Sequence, residues 1–105
     1  MRYYNMLNIT THTFQKEVIE HNGLVVIDLW ANWCGPCRML SPIVEAVARE
    51  REDVLVAKVN VDDNPALAGE FNVFSIPTLV VLKDGKVVFN QAGVRPKEQI
   101  LSLLD

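Results

Sequence analysis

The only two cysteines of the chain stand three residues apart, in the run WCGPC at positions 33–37. A disulfide between them closes a very short loop, and stabilisation by loop closure grows with loop length. Such a bridge contributes little to folding, so a reversible redox reaction suits the pair better than cross-linking does. Pairs with this spacing also occur in zinc sites, but tetrahedral zinc needs about four ligands. There is no third cysteine, and His12 and His21 have no ligand-like spacing to the pair, so redox chemistry is the favoured interpretation.

The segments around the pair predict a strand before it and a helix after it. LVVIDLW (24–30) is nearly all apolar and rich in β-branched residues, which is typical of a strand buried on both faces. The residues after the pair repeat at helical spacing, and Pro42 is expected to kink their helix. The apolar residues of this predicted helix are Met39, Leu40, Ile43, Val44, Val47 and Ala48. The pair therefore lies at the carboxyl end of a strand, where α/β proteins place their active sites.

The start of a helix favours a thiolate. It offers free backbone N–H groups and the positive end of the helix dipole, and Cys34 is placed at or just before the first turn. Lowering a thiol pKa by one unit requires about 1.4 kcal/mol of preference for the anion. The N–H donors and the dipole together supply energies of that order. A thiol with a pKa near the ambient pH is the best attacking group in thiol–disulfide exchange.

These considerations assign a role to each residue of the motif. Cys34 is predicted to be the nucleophile. Cys37, one turn further along the same helix face, is predicted to be the resolving thiol and to be less exposed. Gly35 lets a substrate backbone come close, and Pro36 fits a first helical turn while limiting the flexibility of the bridge.

Three further segments predict strands. VLVAKVNV (54–61) and TLVVL (78–82) are apolar runs like the first strand. KVVFNQ (86–91) is joined to the second of them through Asp84-Gly85, a dipeptide that suits the positive φ angles of a tight hairpin turn.

Three shorter helices are also predicted. The first ends near Gly23, the second follows the cap-then-first-turn signature Asn64-Pro65, and the third opens at Pro96. The apolar residues of the first are Phe14, Val18 and Ile19, and those of the third are Ile100, Leu101, Leu103 and Leu104.

The order of these elements predicts the fold class. Strands separated by helices are expected to pair in parallel, and the hairpin adds an antiparallel edge. The expected product is a three-layer α/β domain with a central mixed sheet flanked by helices. A single domain over residues 1–105 is expected from the length.

Composition excludes some classes of partner. The chain is 50% hydrophobic and 22% charged, a balance typical of a soluble globular protein. Its net charge of −3 and scattered basic residues argue against nucleic acid or an anionic membrane as a partner. No apolar segment has the length of a signal peptide or a transmembrane helix, so a cytoplasmic protein is expected. A persistent structural disulfide is not expected in that reducing compartment.

Three segments resemble the thioredoxin family: IDLWANWCGPCRMLSPIVEAVA (27–48), AKVNVDDNPALAGEF (57–71) and SIPTLVVLKDGK (75–86). The combination of WCGPC after a buried strand containing an Asp with a later Ile-Pro-Thr is very specific, and the resemblance runs over nearly the whole chain. It implies a thioredoxin-like three-layer sandwich that carries out dithiol–disulfide exchange on protein substrates. It also implies recycling by a thioredoxin reductase, a monomeric state, and no bound cofactor beyond the Cys34–Cys37 disulfide.

The resemblance implies further site residues. Asp28 corresponds to the buried acid behind the resolving cysteine, and Lys58 to the lysine that modulates the pKa of that acid. Pro77 corresponds to the cis-proline beside the disulfide. The apolar surface that receives substrates corresponds to Trp33, Gly35, Pro36, Ile76 and Gly93, next to Pro77. Phe74 is a departure, since many members have Arg there, and Ser75 stands where some have Gly.

Alternatives remain open for several of these residues. Asp28 is either a proton acceptor with a pKa raised by burial or an acid that is solvated or paired with Lys58. Pro77 has the trans alternative, because only about 5–6% of X-Pro bonds are cis. The protein as a whole has two alternatives to a disulfide reductase: an oxidant or isomerase of a secretory compartment, and a binding subunit that clamps a partner without turnover.

Overall fold

The computed structural model describes residues 5–105. Its strands are β1 (Met6–Asn8), β2 (Leu24–Trp30), β3 (Leu55–Asn60), β4 (Thr78–Lys83) and β5 (Lys86–Ala92). Its helices are a π-helical segment (Gln15–Ile19), α1 (Gly35–Glu50), α2 (Pro65–Glu70) and α3 (Lys97–Leu103). The strands form one sheet in the order β1-β3-β2-β4-β5. Within the described residues, none of the helices combines the length and apolar character needed to cross a membrane.

The sheet is the middle of three layers, as predicted. Successive side chains of β2 point to opposite faces. Val25, Ile27 and Leu29 pack into the core on one face, and Val26 packs into the core on the other. The helical segments contribute Val18, Leu67 and Phe71 to the first core, and Leu40, Val44, Val47 and Ile100 to the second. Because Asp28 is two residues beyond Val26, its side chain lies on the face that α1 covers.

The direction of β4 differs from the prediction. β1 and β2 pair with β3 in parallel, but β4 pairs with β2 antiparallel although a helix precedes it. The six residues of α2 span about 9 Å, whereas a six-residue strand spans about 20 Å. A helix this short does not carry the chain back to the end of the sheet at which β3 begins. β4 therefore starts at the end where β3 finishes, and it runs in the opposite direction.

The predicted hairpin between β4 and β5 is confirmed. Asp84 and Gly85 both have positive φ angles, +50° and +81°. The Asp84 carboxylate accepts a hydrogen bond from the backbone N–H of Gly23 at 2.7 Å, which ties the turn to the loop before β2.

Several local predictions need correction. Asn64 precedes α2 but does not cap it with its side chain; instead Oδ1 accepts from the N–H of Thr11 at 2.9 Å. Met39 is 64% exposed, so it does not belong to the apolar face of α1. Pro42 lies inside α1, and the kink expected there stays a prediction. The helix predicted at Pro96 begins at the next residue, and the short strand β1 was not predicted.

Candidate redox site

Cys34 and Cys37 form a disulfide at the junction of β2 and α1. Cys34 is the residue immediately before α1, and its Sγ accepts a hydrogen bond from the backbone N–H of Cys37 at 3.2 Å. No acidic side chain occurs in the first turn of α1, so the free N–H groups are the dominant charge near the sulfur. The site therefore has the donors that stabilise a thiolate at Cys34.

The two sulfurs differ in surroundings and not in exposure. Cys34 is 4% exposed and Cys37 is 3% exposed, so the predicted difference in exposure is not found. Cys34 Sγ lies 3.7 Å from the backbone carbonyl oxygen of Ile76. Cys37 instead lines a cavity of about 150 Å³ on the side of α1 and β3. The residues around this cavity are Trp30, Ala31, Asn32, Cys37, Arg38, Ser41 and Lys58.

The Ile76–Pro77 peptide bond is cis, as the family resemblance implied and against the trans alternative. Pro77 is held from the neighbouring strand, because its carbonyl accepts the N–H of Gly93 at 2.8 Å. Gly93 has a φ of +110°, a conformation that residues with a side chain rarely adopt. On the other side, Thr78 Oγ1 donates to the carbonyl of Ser75 at 2.6 Å. The segment beside Cys34 is thus fixed at both ends.

The residues predicted to receive substrates lie around this segment. Trp33 is 70% exposed, and its Nε1 donates to the carboxylate of Asp62 at 2.9 Å. Gly35 and Pro36 are exposed, and a Cβ added at Gly35 would meet no atom within 4 Å. Ile76 packs against the cluster that contains both cysteines. Trp33 and Ile76 thus line the same surface hollow, and a hydrogen bond joins Gly93 to Pro77.

Asp28, whose side chain lies on the face of the sheet that α1 covers, is completely buried. Neither of its carboxylate oxygens accepts a hydrogen bond from a described residue. Burial raises the pKa of Asp28 from 3.8 to about 6, and the charge of Lys58 partly opposes this increase. The apolar neighbours of Asp28 in the sequence predicted the rise and its cause, and the family resemblance implied the opposing lysine.

Lys58 is the register partner of Asp28 across β2 and β3, but it does not form a salt bridge with it. Its Nζ is instead bonded to Ser41 Oγ at 2.6 Å and lies 5.6 Å from the centre of the Trp30 ring. The alternative in which Asp28 is satisfied by direct pairing with Lys58 is therefore not what the structure shows.

The sequence analysis did not identify three residues that lie near the disulfide. Ser41 stands four residues after Cys37 on α1, a spacing that places both on one helix face. Asp62 follows the carboxyl end of β3, and the cysteines follow the carboxyl end of the parallel strand β2. Arg38 directs its guanidinium to the carbonyl of Asn32 at 2.8 Å. Helical spacing and strand-end position were the signals that would have identified the first two.

The disulfide follows strand β2 of a mixed sheet and begins helix α1, the arrangement of a thiol–disulfide oxidoreductase. The thioredoxin family model matches residues 5–105. The chain is 50% identical to the thioredoxin of Listeria monocytogenes over 93 residues, 88% of each chain. It is 45% identical to thioredoxin 1 of Synechococcus elongatus over 98 residues, 92% of each chain. The chain belongs to the thioredoxin family, and Cys34 and Cys37 are the redox pair of a dithiol–disulfide oxidoreductase.

Proposed function

We propose that the protein reduces disulfides in protein substrates through two successive exchange reactions. The Cys34 thiolate attacks one sulfur of the substrate disulfide, forms a mixed disulfide and releases the other substrate sulfur as a thiolate. The Cys37 thiolate then attacks Cys34 Sγ and releases the second substrate thiol. The substrate gains two electrons and two protons, and the protein is left with the Cys34–Cys37 disulfide.

The observation that carries the order of the two steps is the position of each sulfur. Cys34 Sγ adjoins Ile76 and receives the N–H of Cys37, on the side that carries the exposed Trp33. Cys37 lines the cavity on the other side, together with Lys58. A substrate approaching over Trp33 therefore meets Cys34 first, and the helix start favours the thiolate there.

Asp28 is proposed to accept the proton of Cys37 when Cys37 attacks the mixed disulfide. A general base is most effective when its pKa is near the working pH, and burial raises the pKa of Asp28 to about 6. The side chain of Asp28 lies on the α1 face, and its register partner Lys58 lines the same cavity as Cys37. Lys58 has the role of keeping the pKa of Asp28 from rising further.

The substrate segment is proposed to bind in an extended conformation along Ile76. The Ile76 carbonyl oxygen lies 3.7 Å from Cys34 Sγ, where it is available to a substrate backbone N–H, as in strand addition. Trp33, Gly35 and Pro36 supply the exposed surface on one side of this segment. Gly93 supports the other side through its bond to Pro77.

We further propose that a thioredoxin reductase returns the oxidised pair to the dithiol and that the protein works in the cytoplasm as a monomer. The support is the family membership and the stoichiometry, since each turnover leaves the Cys34–Cys37 disulfide and needs two electrons from a donor. A reducing compartment supplies such a donor continuously.

Trapping of covalent intermediates tests the order of the two steps. In Cys37→Ser the resolving thiol is missing, so mixed disulfides with protein substrates accumulate and are released by a chemical reductant. Cys34→Ser serves as the matched control and accumulates none. Trapping by Cys34→Ser alone would reverse the two roles. Full biological activity in both variants would instead favour the non-catalytic binding role.

A further inference from the structure

Phe74 is the most exposed large apolar side chain among the described residues, at 96%. It lies in the loop between α2 and β4, two residues before Ile76. Exposed aromatic rings that cluster with other apolar groups mark interaction surfaces, whereas scattered ones need no explanation. Phe74 belongs to such a cluster, since it shares one hollow with the exposed ring of Trp33.

The hollow has a volume of about 510 Å³ and is open to solvent. Its lining consists of Trp33, Val61, Pro65, Ala68, Val73, Phe74, Ser75 and Ile76. Ser75 has the only hydroxyl group of this set, the indole N–H of Trp33 is bonded to Asp62, and none of the side chains is charged. A hollow of this composition accepts an apolar side chain.

The hollow is continuous with the reaction centre. Trp33 precedes Cys34 in the chain, and the carbonyl oxygen of Ile76 lies 3.7 Å from Cys34 Sγ. In an extended segment, side chains on one face recur every two residues, a distance of about 6.5–7 Å. Ile76 itself lines the hollow. A substrate whose cysteine contacts Cys34 beside Ile76 therefore brings a side chain two residues away to the hollow.

The charge of Asp62 beside the hollow opposes an acidic occupant. Asp62 follows Val61 directly, and its carboxylate accepts the indole N–H of Trp33 at 2.9 Å. No Lys or Arg side chain lines the hollow to neutralise an incoming carboxylate. A negatively charged side chain would thus lose water and meet like charge.

We propose that Phe74 is a specificity-determining residue that selects substrate segments with a large apolar side chain two residues from the reducible cysteine. The inference rests on the proposed attack by Cys34, and it adds the chemical class of segment that is attacked fastest. Leucine and phenylalanine are favoured in the hollow, alanine gains little, and glutamate is disfavoured.

Reduction of synthetic peptides tests this selectivity. Each peptide is a homodimer linked by its single cysteine, and the series places Leu, Ala or Glu two residues before or after that cysteine. The second-order rate constant of reduction by the dithiol protein is measured by stopped flow. At one of the two positions we expect the Leu peptide to react about tenfold faster than the Ala peptide, and the Glu peptide to react more slowly than both. Tenfold corresponds to about 1.4 kcal/mol, close to the lower bound for complete burial of a leucine side chain.

Variants of Phe74 connect the preference to this residue. Phe74→Ala is expected to reduce the Leu-to-Ala ratio to below about threefold, because one wall of the hollow is lost. Phe74→Leu retains the ratio, and Phe74→Lys raises the Glu peptide above the Ala peptide. Val88→Ala is the matched control, since Val88 is 58% exposed on β5, away from the hollow, and its removal leaves the ratio unchanged.

Two outcomes separate the inference from the proposed function. Equal rates for all peptides, or the same ratio in wild type and Phe74→Ala, overturn the role of Phe74 and leave the reductase function intact. If the dithiol protein reduces none of the peptides, the proposed attack by Cys34 is wrong, and the inference that rests on it is wrong as well.

Discussion

Asp28 is a buried acid whose carboxylate oxygens have no hydrogen-bond donor among the described residues. It stands in the middle of the apolar strand β2, it is completely buried, and no described residue donates a hydrogen bond to its carboxylate. An ionised group in such a place destabilises the folded state, because burial removes its hydration. The pKa of about 6 expresses the same effect as a preference for the protonated form.

Replacing this acid is expected to stabilise the protein. Since folding raises the pKa of Asp28, the folded state holds its proton more tightly than the unfolded state, and the ionised form opposes folding. This penalty is absent below about pH 4, grows as the pH rises, and is complete above the folded pKa of about 6. We expect Asp28→Asn to raise the free energy of unfolding at neutral pH by about 2–3 kcal/mol. Denaturant unfolding of the disulfide form, in which the cysteines do not titrate, measures this gain.

The pH dependence is the control for that interpretation. The gain from Asp28→Asn is expected to shrink toward zero as the pH is lowered to about 4. Asp63→Asn removes an exposed acid and is expected to change the stability by less than about 0.5 kcal/mol. A loss of stability in Asp28→Asn at neutral pH would show that the carboxylate is a structural partner within the fold.

The catalytic role of Asp28 predicts a kinetic signature that a structural role would not produce. In wild type, the rate at which Cys37 resolves a mixed disulfide is expected to fall as the pH drops through about 6, where the base becomes protonated. Asp28→Asn is expected to resolve the mixed disulfide at least about 100-fold more slowly at neutral pH and to lack this step in its profile. Single-turnover measurements on a preformed mixed disulfide give both profiles. Superimposable profiles would remove Asp28 from the mechanism.

Residue types and spacing predicted the cysteine pair and the buried acid but not the hydrogen bonds around them. WCGPC after an apolar strand indicated the redox pair, and an acid inside that strand indicated a raised pKa. The bonds of Trp33 to Asp62 and of Lys58 to Ser41 join residues far apart in the chain. Such pairs follow from the packing of α1 against the sheet, which the sequence does not specify residue by residue.

At the scale of elements, the β4–β5 turn depends on glycine for two reasons. Gly85 has a φ of +81°, and a Cβ added there would lie 2.8 Å from the carbonyl oxygen of Ile19. We expect Gly85→Ala to lower the free energy of unfolding by at least about 1–2 kcal/mol. Thermal or denaturant unfolding measures the loss.

A second glycine provides the comparison. Gly69 lies in α2 without a positive φ, and an added Cβ would meet no atom within 4 Å. Gly69→Ala is expected to stabilise the protein by about 0.4–1 kcal/mol, through the unfolded chain. Equal effects of the two substitutions would contradict the account of the turn.

The elements that the sequence predicted are those with a strong local pattern. β2, β3 and β4 are apolar runs, and Asp84-Gly85 identifies its hairpin directly. β1 is only three residues long and pairs with β3 alone, so its sequence is too short to show the alternation of apolar and polar residues that predicts a strand. The side chain of Asn64 bonds with Thr11, a distant partner that overrides the local preference for capping.

At the scale of the whole molecule, the reversed direction of β4 is what assembles the site. Because β4 runs antiparallel to β2, its first residues meet the carboxyl end of β2, and cis-Pro77 comes to lie beside Cys34. The antiparallel β5 then brings Gly93 to Pro77. The shortness of α2 accounts for the antiparallel direction of β4, whereas the alternation of strands and helices alone indicated parallel pairing.

The prediction of a single domain over residues 1–105 stays a prediction.

The balance between disulfide and dithiol depends on how well the fold stabilises the reduced pair. Strongly oxidising pairs owe their potential to a stabilised thiolate. Here one backbone N–H reaches Cys34 Sγ, while the nearest cations are engaged elsewhere, Arg38 with Asn32 and Lys58 with Ser41. The ionised Asp28 further disfavours a second negative charge nearby. We therefore expect the one N–H donor to stabilise the Cys34 thiolate only partly, so that the dithiol remains an electron donor.

The reduction potential of the Cys34–Cys37 couple tests the proposed direction of electron flow most directly. It is measured by equilibrating the protein with glutathione or dithiothreitol buffers at neutral pH and quantifying the dithiol form. A reductase of protein disulfides is predicted to have a potential more negative than about −220 mV, at or below the glutathione poise of a cytosol. A value above about −220 mV, toward the about −180 mV of an isomerase, would contradict the account and favour an oxidant or isomerase.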